Sequence, residues 1–139
     1  MKIVAFLESP SGAVLTTKEF ERYQHDQVWH RQMLRQSMSG NRLYQAFGDL
    51  YEKIWWDNVA PKGNFPDGKH IDDVIREQKP DLILTFGGIA RDALDDSIGA
   101  INIERMDCHH PNARHRSQAD LDHFAMIIRV KMREFNLEV

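Results

Sequence analysis

Four short segments concentrate the groups of this chain that could do chemistry: Glu8-Ser9-Pro10-Ser11-Gly12, Asp57-Asn58-Val59, Phe86-Gly87-Gly88 and His109-His110-Pro111-Asn112-Ala113-Arg114. Asn58 carries an amide, with one donor face and one acceptor face, which suits the edge of a pyrimidine. An Asn closing a strand at a turn explains the same residue. Gly87-Gly88 permits close backbone approach where a strand passes into a helix, and a helix N-terminus is a natural anion site. A plain strand-to-helix turn is the competing explanation. Arg114, His115 and Arg116 form a compact basic cluster, suited to phosphate contacts that weaken with salt or simply to a solvated loop. Cys108, His109 and His110 are all metal-ligand types. Consecutive residues chelate awkwardly, so no metal is expected.

The elements that must position these segments follow from periodicity. Residues 2–7 (KIVAFL) are a buried strand that stops at Ser-Pro-Ser-Gly. From Thr17 to about Met38 no Pro or Gly interrupts a helical composition, which predicts one or two partly exposed helices. Leu43, Tyr44, Phe47 and Leu50 have helical spacing and should dock on the core. Residues 54–59 read as a second strand, ended by a Pro/Gly-rich loop; Trp55 and Trp56 alternate faces there and are expected to pack. Ile71, Val74 and Ile75 mark a helix ended at Lys79-Pro80. Residues 81–86 form the clearest strand, and Gly87-Gly88 leads into a helix with Ile89, Ala90, Ala93 and Leu94. Residues 100–103 (AINI) predict a fourth strand, followed by a polar loop from Asp107 to Arg116. Ser117 with Asp120 then caps a last helix whose apolar residues run from Leu121 to Phe135.

Four short apolar strands separated by helices imply a three-layer α/β/α fold on a four-stranded parallel sheet. Ligands of such sheets bind at the carboxyl ends of the strands. Each candidate loop follows a strand, so all should gather on that edge.

Composition bounds the rest. A length of 139 residues suits a single domain over 1–139. No apolar run approaches a membrane span, and the N-terminal run is too short for a signal peptide, so no membrane partner and a cytoplasmic location are expected. One cysteine excludes an intrachain disulfide or a four-cysteine cluster. A net charge of −3 argues against a general nucleic-acid binder, though not against an enzyme with a small local patch.

The ordered set of motifs resembles the uracil-DNA glycosylase superfamily, particularly its bacterial and archaeal iron–sulfur branch. The resemblance is carried by Leu7-Glu8-Ser9-Pro10-Ser11-Gly12, by Asp57-Asn58-Val59-Ala60-Pro61-Lys62-Gly63-Asn64, by the run from Lys79-Pro80 through Phe86-Gly87-Gly88-Ile89-Ala90, and by His110-Pro111-Asn112-Ala113-Arg114. It spans nearly the whole chain. Leu7 replaces the family's first glycine, Asn112 replaces the serine after His-Pro, and the cluster cysteines are missing, so no iron–sulfur cofactor is implied.

The resemblance implies a DNA base glycosylase acting without a cofactor and as a monomer, with DNA held by local contacts. His110 would stabilise the leaving base, as preorganised donors do at developing negative charge, and Pro111 would stiffen its loop. Asn58 would read the edge of a flipped base. Glu8, Ser9 or Asp57 would hold the attacking water; Ser9 orients water but is no base, and the sequence does not choose between the two carboxylates. Pro10 and Ser11 would contact the base through the backbone, and Phe20 or Tyr23 would stack on it, with core packing as the alternative for both. Gly87, Gly88, Asn112, Arg114 and Arg116 are the candidate phosphate contacts. Two other readings stand beside this one: a non-catalytic module that recognises a modified base or nucleotide, and a hydrolase of free nucleosides or nucleotides, which suits the acidic charge.

Overall fold

The computed structural model of the chain describes residues 1–9, 16–63, 65–113 and 117–138. Strands β1 (Ile3–Leu7), β2 (Trp55–Asn58), β3 (Leu82–Phe86) and β4 (Glu104–Cys108) form one sheet in the order β2-β1-β3-β4, with every pairing parallel. Between β1 and β2 lie α1 (Thr17–Tyr23), α2 (Gln27–Arg35) and α3 (Met38–Phe47), then a 3-10 turn over Gly48–Lys53. Helix α4 (Gly68–Gln78) connects β2 to β3, α5 (Gly88–Asp95) leads towards β4, and α6 (Gln118–Glu138) ends the fold.

The sheet separates two apolar layers. Ile3, Ala5, Leu7, Trp56, Leu82, Leu84 and Phe86 pack against Leu43 and Phe47 of α3 and Leu121, Phe124 and Ile128 of α6. Val4, Phe6 and Ile83 point the other way, onto Ile71, Val74 and Ile75 of α4 and Ala90 and Leu94 of α5. The alternation along each strand assigns neighbouring residues to opposite layers. Because both faces are covered, β1 and β3 are buried at every position. The three-layer α/β/α arrangement is the one the sequence predicts, and Trp55 and Trp56 do pack on opposite faces.

Side chains punctuate the helical stretch between β1 and β2. Thr16 caps α1 in a reciprocal box with Glu19, Asp26 caps α2 through the Trp29 N–H at 3.0 Å, and Ser37 caps α3 through Gly40. Of the one or two helices expected from Thr17 to about Met38, two form, α1 and α2, with the break before Asp26. In α6 one half of the expected capping box is present, with Ser117 N–H donating to Asp120 at 3.0 Å.

One strand was misplaced by the sequence pattern. Residues 100–103 are not a strand: a 3-10 turn covers Ile98–Ala100, and β4 begins at Glu104. An edge strand has one neighbour and a half-exposed surface, so its sequence (ERMDC) lacks the apolar run that marks β1 and β3. Asp107 and Cys108 accordingly belong to the strand rather than to the polar loop.

Candidate functional site

The pairing of β1 with β2 sets Leu7 opposite Asn58, and the ladder runs on beyond both strands. Val59 N–H donates to Leu7 O at 2.8 Å and Ala60 N–H to Glu8 O at 2.7 Å. Glu8-Ser9 and Asp57-Asn58 therefore lie side by side at the carboxyl edge of the sheet. A cleft of about 200 Å³ opens there. Glu8, Ser9, Asp57 and Asn58 line one part of it, Trp29, His30, Met33 and Leu34 of α2 another, and His110 reaches in from the loop after β4. Five residues singled out in sequence thus meet in one place.

Asp57 has a structural setting that its sequence does not announce. Its partner in the ladder is Phe6, so it points towards the α4 layer. There it meets His70 in the first turn of α4, with Nε2 2.7 Å from Asp57 Oδ1. Asp57 is 2% exposed and His70 8%. The same carboxylate accepts from Trp55 Nε1 at 3.1 Å and from the Asn58 backbone N–H at 2.8 Å. Of roughly four acceptor positions on a carboxylate, three are engaged. Burial pulls the His70 pKa down, but the hydrogen bond and charge of Asp57 outweigh it, and the net shift is upward. This is a buried ion pair whose acidic member grips the backbone of Asn58.

His110 is held just as closely. The Asn112 N–H donates to its Nδ1 at 3.1 Å, and Ala113 N–H closes the turn on His110 O at 3.0 Å. An imidazole that accepts at Nδ1 carries its proton on Nε2, which makes Nε2 a donor. Arg42 of α3 donates to Pro111 O at 3.2 Å and is itself tied down, its carbonyl accepting from Gln118 at 2.9 Å. Gly87 has φ +98°, and a Cβ there would stand 3.4 Å from the His110 Cβ. The glycine provides the backbone seat of the histidine. Its own N–H donates to Cys108 O at 2.9 Å.

Two site residues carried no signal in the sequence. Trp29 forms an aromatic wall of the cleft and stacks on Tyr23, centroids 4.5 Å apart and planes 7° from parallel. His30 also lines the cleft; burial lowers its pKa despite the nearby Asp57 charge. Both sit on α2, where their spacing looks like an ordinary amphipathic helix.

Other expected contacts fall elsewhere. Phe20 is outside the cleft, packed edge-on against His70 at 5.3 Å with Lys62 over its ring. Gly88 and Asn112 are exposed but do not line the cleft. Pro10, Ser11, Arg114 and Arg116 lie outside the described residues. Among the described residues, no three His, Cys, Asp or Glu side chains come together so as to hold a metal ion, and no helix is long and apolar enough to cross a membrane. Comparison with protein-family models and with curated proteins finds no match.

Proposed function

We propose that this chain is a monofunctional DNA base glycosylase that takes a flipped pyrimidine-type base into the cleft between β1, β2 and α2. The observation that carries the reading is the convergence of Asn58, His110 and the Glu8-Ser9 pair in a cleft of about 200 Å³ with an aromatic wall. That volume is below the range of drug-sized pockets and suits a single ring. Ring faces stack on Trp29, and the Asn58 amide meets the donor and acceptor atoms of the ring edge.

In the reaction the C1′–N bond breaks and its electron pair leaves with the base. The His110 Nε2–H hydrogen-bonds the carbonyl oxygen on which that negative charge collects. The oxygen of a water forms the new bond to C1′. Glu8, exposed on the cleft, takes the water's proton, and Ser9 orients the water. Asp57, with three acceptor positions committed, holds Asn58 rather than the water. The products are the free base and an abasic sugar.

The net charge of −3 favours one rival, hydrolysis of free nucleosides or nucleotides. Mass spectrometry of released base separates them, with oligonucleotides containing uracil, deaminated purines or modified pyrimidines run beside the matching nucleosides. His110→Ala should lower release by about 10²–10³, the usual loss for one oxyanion donor, with the fold intact because His110 is exposed. Release from DNA should also fall steeply with salt. Release from nucleosides alone would select the rival, and no release by a folded protein would leave a base-binding module.

A further inference from the structure

The two edges of the sheet are finished differently. At β2 the side chain of Gln27 closes the edge as a strand would, donating to Trp56 O at 2.8 Å and accepting from the Trp56 N–H at 2.8 Å. At β4 the inner side is satisfied by β3, and the Gly87 N–H donates to Cys108 O. In a parallel ladder the N–H and C=O of alternate residues turn to the same neighbour. Met106 and Cys108 therefore face β3, while Arg105 and Asp107 present their backbone groups outward. Among the described residues, no hydrogen bond reaches those four groups. An open edge of this kind is a template for another strand. The side chains of Arg105 and Asp107 share the α5 face of β4 and pair with each other at 3.1 Å, and Arg105 also pairs with Asp95 of α5.

We infer that β4 is a homodimer interface, in which the β4 strands of two copies pair antiparallel about a two-fold axis at Met106. Charge and geometry together select this register. It sets Arg105 of each copy opposite Asp107 of the other as hydrogen-bonded pairs, with Met106 opposite Met106 between them. Every outward backbone group of both strands is then used. A two-fold axis at Arg105 or at Asp107 would instead set like charges opposite each other, which repels. Charges on an edge strand ordinarily keep other strands off. Here they have opposite signs on either side of the centre, so the strand complements its own image, as a two-fold interface requires. The pairing joins the two sheets into one. Because the strands run in opposite directions, the turn before β4 of one copy, with its exposed Ile101, is brought towards the loop after β4 of the other. The inference stands apart from the reading of the cleft, whose walls come chiefly from β1, β2 and α2. It departs from the monomer that the family resemblance implies.

The test is sedimentation equilibrium of the full chain from about 1 μM to about 100 μM, which should reach twice the mass of one chain at the upper end. Arg105→Asp leaves only carboxylates at the two facing positions, and Asp107→Arg leaves only guanidinium groups. Each variant alone should associate at least about tenfold more weakly than the parent chain, because like charges then stand opposite. An equimolar mixture of the two should regain the parent's association, since each meets its complement. Met106→Cys combined with Cys108→Ser, oxidised by air, should form a disulfide between copies. Cα atoms in a non-hydrogen-bonded antiparallel pair stand about 4.5 Å apart, within disulfide range. This cross-link decides the matter where the charge variants fold poorly by circular dichroism. A chain that stays monomeric throughout overturns the inference and leaves the edge to another protein's strand or to solvent. So does a dimer that both charge variants retain, a folded mixture as weak as its components, or the absence of the cross-link.

Discussion

Replacing His70 with Ala takes a donor from Asp57 Oδ1, now at 2.7 Å, and leaves a carboxylate that is 2% exposed with only Trp55 Nε1 and the Asn58 N–H beside it. Removing one partner of a buried pair costs about 3–5 kcal/mol, because the remaining charge is uncompensated. Domains of this kind have a total stability of roughly 5–15 kcal/mol, so the variant should unfold at a temperature lower by on the order of 10 °C. Loss of packing alone would also destabilise, and pH distinguishes the two causes. Burial lowers the His70 pKa, yet Asp57 outweighs it, so the folded value stands above the ordinary histidine value of about 6.5. A group whose folded pKa is raised stabilises fully below its unfolded pKa, and that stabilisation disappears as pH rises through the folded value. The gap between the parent chain and His70→Ala should therefore be widest below about pH 6.5 and should narrow as pH rises through the raised pKa. Urea unfolding of both proteins in a series of buffers measures it. A gap that stays constant or widens towards alkaline pH would refute the ion-pair account and leave only packing.

Gly87→Ala should destabilise by roughly 1–3 kcal/mol, the cost of forcing an L residue into a sparsely populated backbone region, since φ is +98°. The new Cβ, 3.4 Å from His110 Cβ, should also lower base release more than stability alone explains, which parallel unfolding and release assays would reveal. Trp29→Ala should weaken base binding by roughly 5- to 150-fold, the equivalent of about 1–3 kcal/mol of lost stacking, while Phe20→Ala leaves binding unchanged. Calorimetry with a free base checks both, and equal losses would put Phe20 back in the site.

How far the fold could be read from sequence depended on how many faces each strand buries. β1 and β3 have neighbours on both sides and helices on both faces, so their sequences IVAFL and LILTF are almost wholly apolar. β4 has one neighbour and exposes Glu104 on one face and Asp107 on the other, which leaves no such run. The tetrapeptide before it, residues 100–103, misleads because its Ile101 is 72% exposed rather than buried. Hydrophobic runs report two-sided burial, and β4 does not have it.

The site was legible to the extent that topology makes loops neighbours. In a parallel sheet every loop after a strand opens on one edge, so Glu8, Ser9, Asp57, Asn58 and His110 were bound to be close whatever their roles. His30 and His70 follow no such rule. Each lies on an amphipathic helix, where a histidine is unremarkable; His70 matters through its contact with Asp57 across the chain, and His30 through its place in the cleft wall. One sign of His70 was present: Asp57 occupies a position inside an apolar strand, and a carboxylate there needs a cationic or multiply donating partner. Following that demand changes what Asp57 is for. With Nε2 of His70, Nε1 of Trp55 and the Asn58 N–H on its oxygens, it fixes Asn58, to which the proposed function gives the reading of the base, and that proposal leaves the water to Glu8.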